Sequence, residues 1–253
     1  MHRIKKVKHK IKTLIPNSIL GLLVKSSYVR QFTGYGYFGL GKIDREIAKY
    51  VPKRNGYYVE LGANDGIKQS NSLHFEKFRN YRGLLVEPYT PNFELCVANR
   101  SKINEFRNAA CVSFDFSEPF IEMIYSDLMT TPNEGFSDIS DREGHAKSGV
   151  KFLGAQQTFK FLAPAVSLNS ILLEINAPER IDFLSLDVEG GEIEVLKGID
   201  HGRFRFTLLC VESRDYDSLH SYLSSYSYQF ERKISMHDYL FLDMKSNMDI
   251  GKK

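Results

Sequence analysis

The feature that most constrains the fold is an alternation of short apolar runs with helical patterns. Residues 57–61 form a compact apolar run, which is typical of a buried strand. Runs of similar character follow at 83–86, 104–112, 181–186, 206–211 and 239–242. Helical spacing or helix-start signals occur at 43–51, 71–80, 90–99, 168–175, 189–197 and 219–226. Strands that alternate with helices predict an α/β domain, Rossmann-like, with a mostly parallel sheet and helices on both faces.

Three local signals set helix ends in this prediction. Thr90 is a natural N-cap with Pro91 behind it, and Ser167 is a second N-cap. Gly198 follows a helical pattern, where a glycine commonly takes the left-handed conformation. The alternation stops over residues 113–165, which is too long for an ordinary connection. We therefore expect a substrate-shaping insertion there, built on short strands near 119–125 and 158–162.

The beginning of the chain differs in composition. Basic residues make up half of the first twelve, and none of the twelve is acidic. Apolar residues between them suit an amphipathic helix on an anionic membrane, although a solvated tail fits equally well. Residues 34–39 match GxGxxG, but no strand precedes them, so we interpret them as a Gly/aromatic loop that could cover a ligand. We expect an arm and loop at 1–40 and one domain at 41–253.

Composition excludes several classes of function. The three cysteines are far apart and form no CxxC pair, which argues against a zinc knuckle and favours a reducing compartment. No apolar run reaches about 18 residues, so no membrane span is predicted. The net charge of +3 is small and concentrated in the arm, so we expect no nucleic acid partner. A cytoplasmic protein, peripheral at the inner face of a membrane if the arm binds lipid, is the expectation.

Polar residues follow the predicted strands, at the sheet edge where ligands bind in open α/β folds. They are Glu60, Gly62, Ala63, Asn64, Asp65 and Gly66 after the first strand, Glu87 and Pro88 after the second, Asn108 and Ala109 near the third, Asp187 and Glu189 after the fourth, and Glu212 at the fifth. Since the carboxyl ends of parallel strands share one edge, we expect these residues to converge on one site.

The first of these loops suits a nucleoside that carries an amino group. A carboxylate at Glu60 can accept hydrogen bonds from a cationic amine, and one at Glu87 suits the two hydroxyls of a ribose. The spacing from Gly66 to Glu87 is that of a ribose-binding acid. Gly62 and Gly66 permit a tight turn and a close ligand, but Asp65 would face a pyrophosphate with the wrong charge. A cationic sulfonium nucleoside therefore fits better than an anionic dinucleotide.

Several separated motifs resemble the FkbM-type methyltransferases. They are VELGANDG at 59–66, NSLHFE at 71–76, GLLVEP at 83–88 and IDFLSLDVEGGEIEVLKG at 181–198. The resemblance covers residues from about 56 to 241. It implies a class I methyltransferase fold with a seven-stranded sheet whose last strand is antiparallel, and S-adenosylmethionine as methyl donor.

The resemblance also implies roles for residues. The segment 60–66 and Asn71 would hold the methionine end of the cofactor, Glu87 and Pro88 the ribose region, and Asp187 would border both the cofactor and the acceptor. The adenine contacts stay open. Family members usually methylate hydroxyls, often on sugars, so a carbohydrate or glycoconjugate acceptor is expected, whether glycan, glycolipid or nucleotide-sugar.

A sugar hydroxyl needs a base, or a metal that lowers its pKa. Asp187, Glu189 and Glu212 could share a proton or bind Mg²⁺, while His237 is an alternative base. A simpler interpretation of Glu189 and Glu192 is that acids favour the first turn of a helix. His237 could equally be an ordinary surface or core histidine. Our hypothesis is that Asp187 is essential and that Glu189 or His237 assists.

Three alternatives remain open from sequence. An NAD-dependent oxidoreductase or epimerase could use the same sheet, although the acidic first loop opposes a pyrophosphate. A non-catalytic methyltransferase-like scaffold could be recruited by the basic arm, although the strand-end acids would then have no function. Methylation of nucleic acid would need a basic face, which the charge distribution does not provide.

Overall fold

The computed structural model describes residues 36–126, 130–132 and 158–245. The described elements are a 3-10 helix (Leu40–Lys42), α1 (Ile43–Ile47), β1 (Tyr57–Leu61), α2 (Leu73–Arg79), β2 (Arg82–Val86), α3 (Thr90–Asn99), β3 (Glu105–Arg107), β4 (Ala110–Cys111), β5 (Phe120–Tyr125), β6 (Thr131–Pro132), β7 (Phe159–Val166), α4 (Leu168–Glu174), β8 (Arg180–Leu186), α5 (Glu192–Lys197), β9 (Arg205–Glu212), α6 (Tyr216–Ser225), β10 (Tyr228–Lys233) and β11 (Asp238–Asp243).

A central sheet of seven strands has the order β10-β11-β9-β8-β1-β2-β3. All neighbours from β9 to β3 are parallel, and β11 is antiparallel to both β9 and β10. The predicted mostly parallel sheet with an antiparallel last strand is therefore confirmed. The chain moves outward from β1 to β2 and then resumes on the other side with β8. This reversal of strand order opens a crevice at the carboxyl ends of β1 and β8.

Both faces of the sheet are buried because side chains alternate along each strand. On one face Val59, Leu84 and Leu184 pack with residues of α4, α5 and α6. On the other face Tyr58 and Leu85 pack with α1 and α2, among other residues. The Ser167 cap of α4 is confirmed, since its Oγ accepts a hydrogen bond from the Ser170 backbone N–H at 3.2 Å.

The predicted strand at 104–112 is two strands. Asn108 donates to the carbonyl oxygens of Glu87 and Pro88, and this contact bends the chain between β3 and β4. β4 then joins a second sheet of order β4-β7-β5-β6, in which β5 and β7 are antiparallel. The strands expected at 119–125 and 158–162 are thereby confirmed, and the described part of the insertion belongs to a small second sheet.

Two helix starts differ from the prediction. Tyr89, not Thr90, is the N-cap of α3, and the Thr90 hydroxyl bonds Asn108 instead. The helix expected from residue 189 begins at Glu192, because Glu189 has a left-handed φ of 56° that a helix cannot contain.

One helix end also differs. Gly198 has a φ of −91°, so it is not a left-handed stop. It is required for close packing instead, since a Cβ there would lie 2.0 Å from the carbonyl oxygen of Val112.

One strand, β10, was not predicted from the sequence, and it forms one edge of the main sheet.

The basic arm at 1–15 and most of the polar part of the insertion lie outside the described residues. Of the Gly/aromatic loop, residues from 36 onward pack on the domain. Tyr37 stacks on His74 with 4.2 Å between ring centroids, and the Phe38 N–H donates to the buried carboxylate of Asp44. None of the helices in the described residues is both long and apolar enough to cross a bilayer.

Candidate cofactor and active site

A cavity of about 240 Å³ opens at the carboxyl ends of β1, β2, β8 and β9. Most of the residues predicted to form the site line it: Glu60, Gly62, Asn64, Asn71, Glu87, Pro88, Asp187, Glu189 and Glu212. Asp65, Gly66, Ala63, Asn108 and His237 are described but are not part of this lining. The expectation that strand-end residues converge on one site therefore holds for most of them.

Glu60 is enclosed by donors from the protein. Its carboxylate accepts hydrogen bonds from Ser70 Oγ at 3.0 Å and from the Asn71 N–H at 2.7 Å, and it is 4% exposed. Arg100 Nη1 lies 3.4 Å away. These contacts hold the loop at 70–72 against β1. Sequence reasoning expected a direct contact with a ligand amine, for which these donors would compete.

Arg100 is a buried residue that sequence reasoning missed. Its side chain has no exposed surface, and its Nε donates to Glu76 at 2.6 Å. Its Nη1 donates to the Gly66 carbonyl oxygen at 3.1 Å and its Nη2 to the Tyr58 hydroxyl at 2.7 Å. Arg100 thus ties the first loop to β1 and α2 from behind the cavity.

The two loop glycines are required by protein neighbours. Gly62 has a φ of 79°, and a Cβ there would lie 1.9 Å from the Asp187 carbonyl oxygen. At Gly66 a Cβ would lie 2.8 Å from Arg100 Cγ. One carboxylate oxygen of Asp65 accepts the backbone N–H groups of Ile67 and Lys68, so it caps its own turn. Its role towards a cofactor stays a prediction.

Glu87 lies at the end of β2 and faces the cavity. One carboxylate oxygen accepts the Asn64 N–H at 2.9 Å and the other the Tyr89 N–H at 3.0 Å. These backbone contacts hold the carboxylate at the cavity wall, and a carboxylate at this position suits the two hydroxyls of a ribose.

A second, smaller cavity of about 40 Å³ adjoins the first. Its apolar lining includes Val86, Pro88, Ala109, Val112 and Met123. Ala109 therefore borders this second cavity, whereas the Asn108 side chain joins the ends of β2 and β3.

Asn71 lines the main cavity. It donates to Ser185 Oγ at 3.0 Å, while its Oδ1 has no hydrogen-bond partner among the described residues.

The other half of the main cavity is acidic. Asp187, Glu189 and Glu212 each place a carboxylate oxygen within 4.8 Å of the other two. Asp187 is exposed to the cavity although it lies deep in the fold. This spacing allows a shared proton and would also suit a hard cation, so Mg²⁺ stays a prediction.

Two of these acids form a hydrogen-bonded pair with raised pKa values. Burial and the charge of Glu212 raise the pKa of Asp187 well above its usual range. Burial also raises the pKa of Glu212, although its hydrogen bond from Asp187 and the Arg214 guanidinium act in the opposite direction. Two carboxyl groups in contact share one proton because both cannot ionise at low cost. The pair therefore holds one proton between Asp187 and Glu212.

The turn that carries Asp187 is fixed from two sides. Buried Glu192 accepts the N–H groups of Val188 and Gly190 at 3.1 and 3.0 Å. Thr131 of the insertion donates its hydroxyl to the Glu189 carbonyl oxygen at 2.8 Å. Arg214 Nη2 lies 3.0 Å from the Glu189 carboxylate. Glu192 does lie in the first turn of α5, as expected, but Glu189 does not, so the helix-dipole explanation for Glu189 is wrong.

At the start of β11, Asp238 lines the cavity, whereas His237 does not. Asp238 pairs with Glu212 across the β9–β11 ladder and lines the cavity. His237 uses its backbone there, accepting the Ser213 N–H at 2.9 Å. Asp238 was missed because an antiparallel strand begins, rather than ends, at this edge.

The chain is similar to several solved structures and to one protein family. Solved structures with detectable similarity include a methyltransferase from Geobacter sulfurreducens, at 13% identity and a TM-score of 0.40 over 94% of this chain and 96% of that one. Another is a methyltransferase from Pyrococcus furiosus, at 14% identity and a TM-score of 0.37 over 90% of this chain and 99% of that one. A search of curated proteins found no match. Residues 60–230 match the methyltransferase FkbM domain, and the chain therefore belongs to this family of S-adenosylmethionine-dependent methyltransferases.

Proposed function

We propose that this protein is an O-methyltransferase that transfers the methyl group of S-adenosylmethionine to a sugar hydroxyl. One observation carries the proposal: a single cavity joins the carboxylate of Glu87 to the hydrogen-bonded acids Asp187 and Glu212. The first suits a ribose and the second suits proton removal from a hydroxyl.

The residues of the cavity fit the cofactor. Its ribose would bind Glu87, its adenine would enter the apolar slot beside Pro88 and Ala109, and its methionine end would lie along Gly62 and Asn64. S-adenosylmethionine supplies an electrophilic methyl group on a positively charged sulfur. The carboxylates around the cavity favour that charge and would repel the pyrophosphate of NAD.

The acid pair would accept the proton of the acceptor hydroxyl. A hydroxyl is a poor nucleophile at neutral pH, and a base of raised pKa removes its proton more effectively than an ordinary carboxylate. Because Asp187 and Glu212 share one proton, one of the two carboxylates is ionised and can accept the hydroxyl proton, while the other orients it. The rigid turn built by Glu192 and Thr131 would hold this pair in line with the methyl group. His237 has no part in this scheme, because its side chain is not in the cavity lining.

A sugar is proposed as acceptor because hydroxyl-rich molecules suit carboxylate acceptors and because the FkbM resemblance implies hydroxyl methylation. The basic arm at 1–15 is proposed to bring the enzyme to an anionic membrane, where a glycolipid acceptor would be found. The sugar acceptor and the membrane role of the arm need experiments separate from the test of the cofactor.

The cofactor assignment can be tested by thermal unfolding with S-adenosylhomocysteine or NAD⁺. A ligand at about 100 times its dissociation constant stabilises the folded state by about 2.7 kcal/mol, which is a Tm rise of roughly 5–10 °C for a chain of this size. We expect this rise with S-adenosylhomocysteine and not with NAD⁺. Glu87→Ala should weaken it, whereas Glu94→Ala, on the exposed side of α3, should not. A response to NAD⁺ alone would favour the oxidoreductase alternative.

The catalytic assignment is tested with Asp187→Asn and Glu212→Gln. Each should lower kcat by about 10²–10⁴-fold, the range expected for loss of a general base, while S-adenosylhomocysteine still binds. Near-normal turnover by Asp187→Asn with the cofactor bound would show that this acid is not essential. Loss of turnover in EDTA that Mg²⁺ restores would instead support a metal at the same acids.

A further inference from the structure

The cavity has two halves with different chemical surroundings. The cofactor half is formed by Glu60, Gly62, Asn64 and Glu87, whose polar atoms are engaged with the loops of β1 and β2. The half that remains for an acceptor contains the carboxylates of Asp187, Glu189, Glu212 and Asp238. These four carboxylates are called the acidic wall below.

Positive charge is scarce around the acidic wall. Lys68 is the one cationic side chain in the lining formed by the described residues, and it belongs to the first loop. Arg214 lies behind the wall, 3.0 Å from Glu189 and 3.8 Å from Glu212. Its single charge is set against four acids, so among the described residues the wall is net negative even when Asp187 and Glu212 share a proton.

Asp238 differs from the other members of the wall because its geometry leaves it free to bind. Ser235 donates its hydroxyl to Asp238 Oδ2 and accepts the Asp238 N–H at 3.0 Å. This turn fixes the side chain at the cavity edge. Oδ1 of Asp238 accepts no hydrogen bond from the described residues, so it presents an acceptor to the cavity that a ligand hydroxyl can use.

We propose that the acceptor is an uncharged polyhydroxyl compound, that Asp238 holds one of its hydroxyl groups, and that phosphorylated or nucleotide-linked sugars are excluded. This inference rests on the proposed function and narrows its acceptor class. Hydroxyls donate to carboxylates, whereas phosphate oxygens only accept and are repelled by them. A phosphate site would require several guanidinium, ammonium or backbone donors, whereas the described lining has Lys68 as its one cation and Arg214 is engaged by Glu189.

The exclusion of phosphate can be measured without knowing the acceptor. The full chain saturated with S-adenosylhomocysteine would be titrated calorimetrically with inorganic phosphate and with UDP. We expect no saturable binding of either in the millimolar range. Saturable binding of phosphate or UDP that displaces neither S-adenosylhomocysteine nor a buffer component would overturn the inference while leaving the proposed function intact. Failure of S-adenosylhomocysteine to bind would refute the proposed function itself.

Turnover provides the positive test. Sugars would be offered in pairs, each as its methyl glycoside and as its 1-phosphate, with formation of S-adenosylhomocysteine as the readout. We expect the uncharged member to have at least about a tenfold higher kcat/KM, given the cost of placing like charges together. Preference for the phosphorylated member would refute the proposal. If neither member reacts, the phosphate and UDP titrations decide.

The role of Asp238 is tested with Asp238→Asn against Asp217→Asn, which removes the same charge from the exposed start of α6. Asp238→Asn should raise the KM for the uncharged acceptor by about tenfold or more, the worth of a hydrogen bond to a charged group, with unchanged affinity for S-adenosylhomocysteine. Asp217→Asn should change neither. Equal behaviour of the two variants would exclude contact between Asp238 and the acceptor.

Discussion

Removal of the buried Arg100 guanidinium should destabilise the protein strongly. Arg100 bonds Glu76 and Tyr58, contacts Glu60, and has no exposed side-chain surface. In Arg100→Met the carboxylate of Glu60 stays buried without its counter-charge, and Glu76 keeps only Lys77, 3.1 Å away. Breaking a buried ion pair in this way costs about 3–5 kcal/mol. For a chain of this size that corresponds to a Tm lower by roughly 6–20 °C.

The assay is urea and thermal unfolding of Arg100→Met beside Arg45→Met, which alters an exposed arginine of α1. We expect the control to remain within about 0.5 kcal/mol of wild type. Arg100→Lys should lie between the two, because one ammonium group cannot reproduce the separate Nε, Nη1 and Nη2 contacts.

The double variant Arg100→Met, Glu76→Met separates the charge effect from packing. Since it removes the pair together, it should lose less than the sum of the single variants. The S-adenosylhomocysteine affinity should fall in Arg100→Met, because the 66–72 loop loses its support. A loss of stability below about 1 kcal/mol, or additive single variants, would refute the view that this ion pair organises the cofactor loop.

Three further predictions concern pH, the catalytic turn and the arm. Burial lowers the pKa of His201 from 6.5 to about 4, so about 3 kcal/mol of stability is present above pH 6.5 and is lost as pH falls towards 4. Burial raises the pKa of Asp44 from 3.8 to about 6, so ionisation of Asp44 lowers stability as pH rises from 3.8 to about 6. In urea unfolding at several pH values, the free energy of unfolding should fall less steeply with acid in His201→Gln than in wild type, and more steeply in Asp44→Asn. The same pH dependence in wild type and both variants would contradict both assignments. Glu192→Gln should lose about 1–3 kcal/mol of stability and much of kcat, since it weakens the bonds that shape the Asp187 turn, whereas unchanged activity would exclude this role. Deletion of residues 1–15 should reduce binding to anionic liposomes, measured by co-sedimentation at low salt, and unchanged binding would end the membrane proposal.

The main sheet could be predicted because its strands carry local signals. β1 was predicted with its observed bounds from one apolar run, and the positions of Glu60, Glu87 and Asp187 follow from the rule that parallel strands end at one edge. β10 escaped prediction because its sequence, YQFERK, has no apolar run and ends in three charged residues, and this edge strand is mostly exposed. Such strands resemble loops in sequence.

Other parts of the site depend on contacts distant in sequence. Arg100 follows a helix as an ordinary surface cation would, and nothing local links it to Glu60, 40 residues away. Thr131 reaches Glu189 across 58 residues and through an insertion. Asp238 could have been found: once β11 is known to be antiparallel, its first residue must lie at the edge where the parallel strands end.

Glycine at position 198 was expected for its backbone conformation, but the structure explains it by close packing. The two explanations predict different effects of substitution. If the position needed a left-handed conformation, Asn would be tolerated better than Ala. The observed φ of −91° suits any residue, while the Val112 carbonyl oxygen lies 2.0 Å from where a Cβ would be. We therefore expect Gly198→Ala and Gly198→Asn to lose stability alike, by about 1–3 kcal/mol for overpacking. Urea unfolding that finds Asn clearly less harmful than Ala would restore the conformational explanation, whereas equal losses would confirm that Gly198, just after α5, packs closely on the backbone of Val112, just after β4.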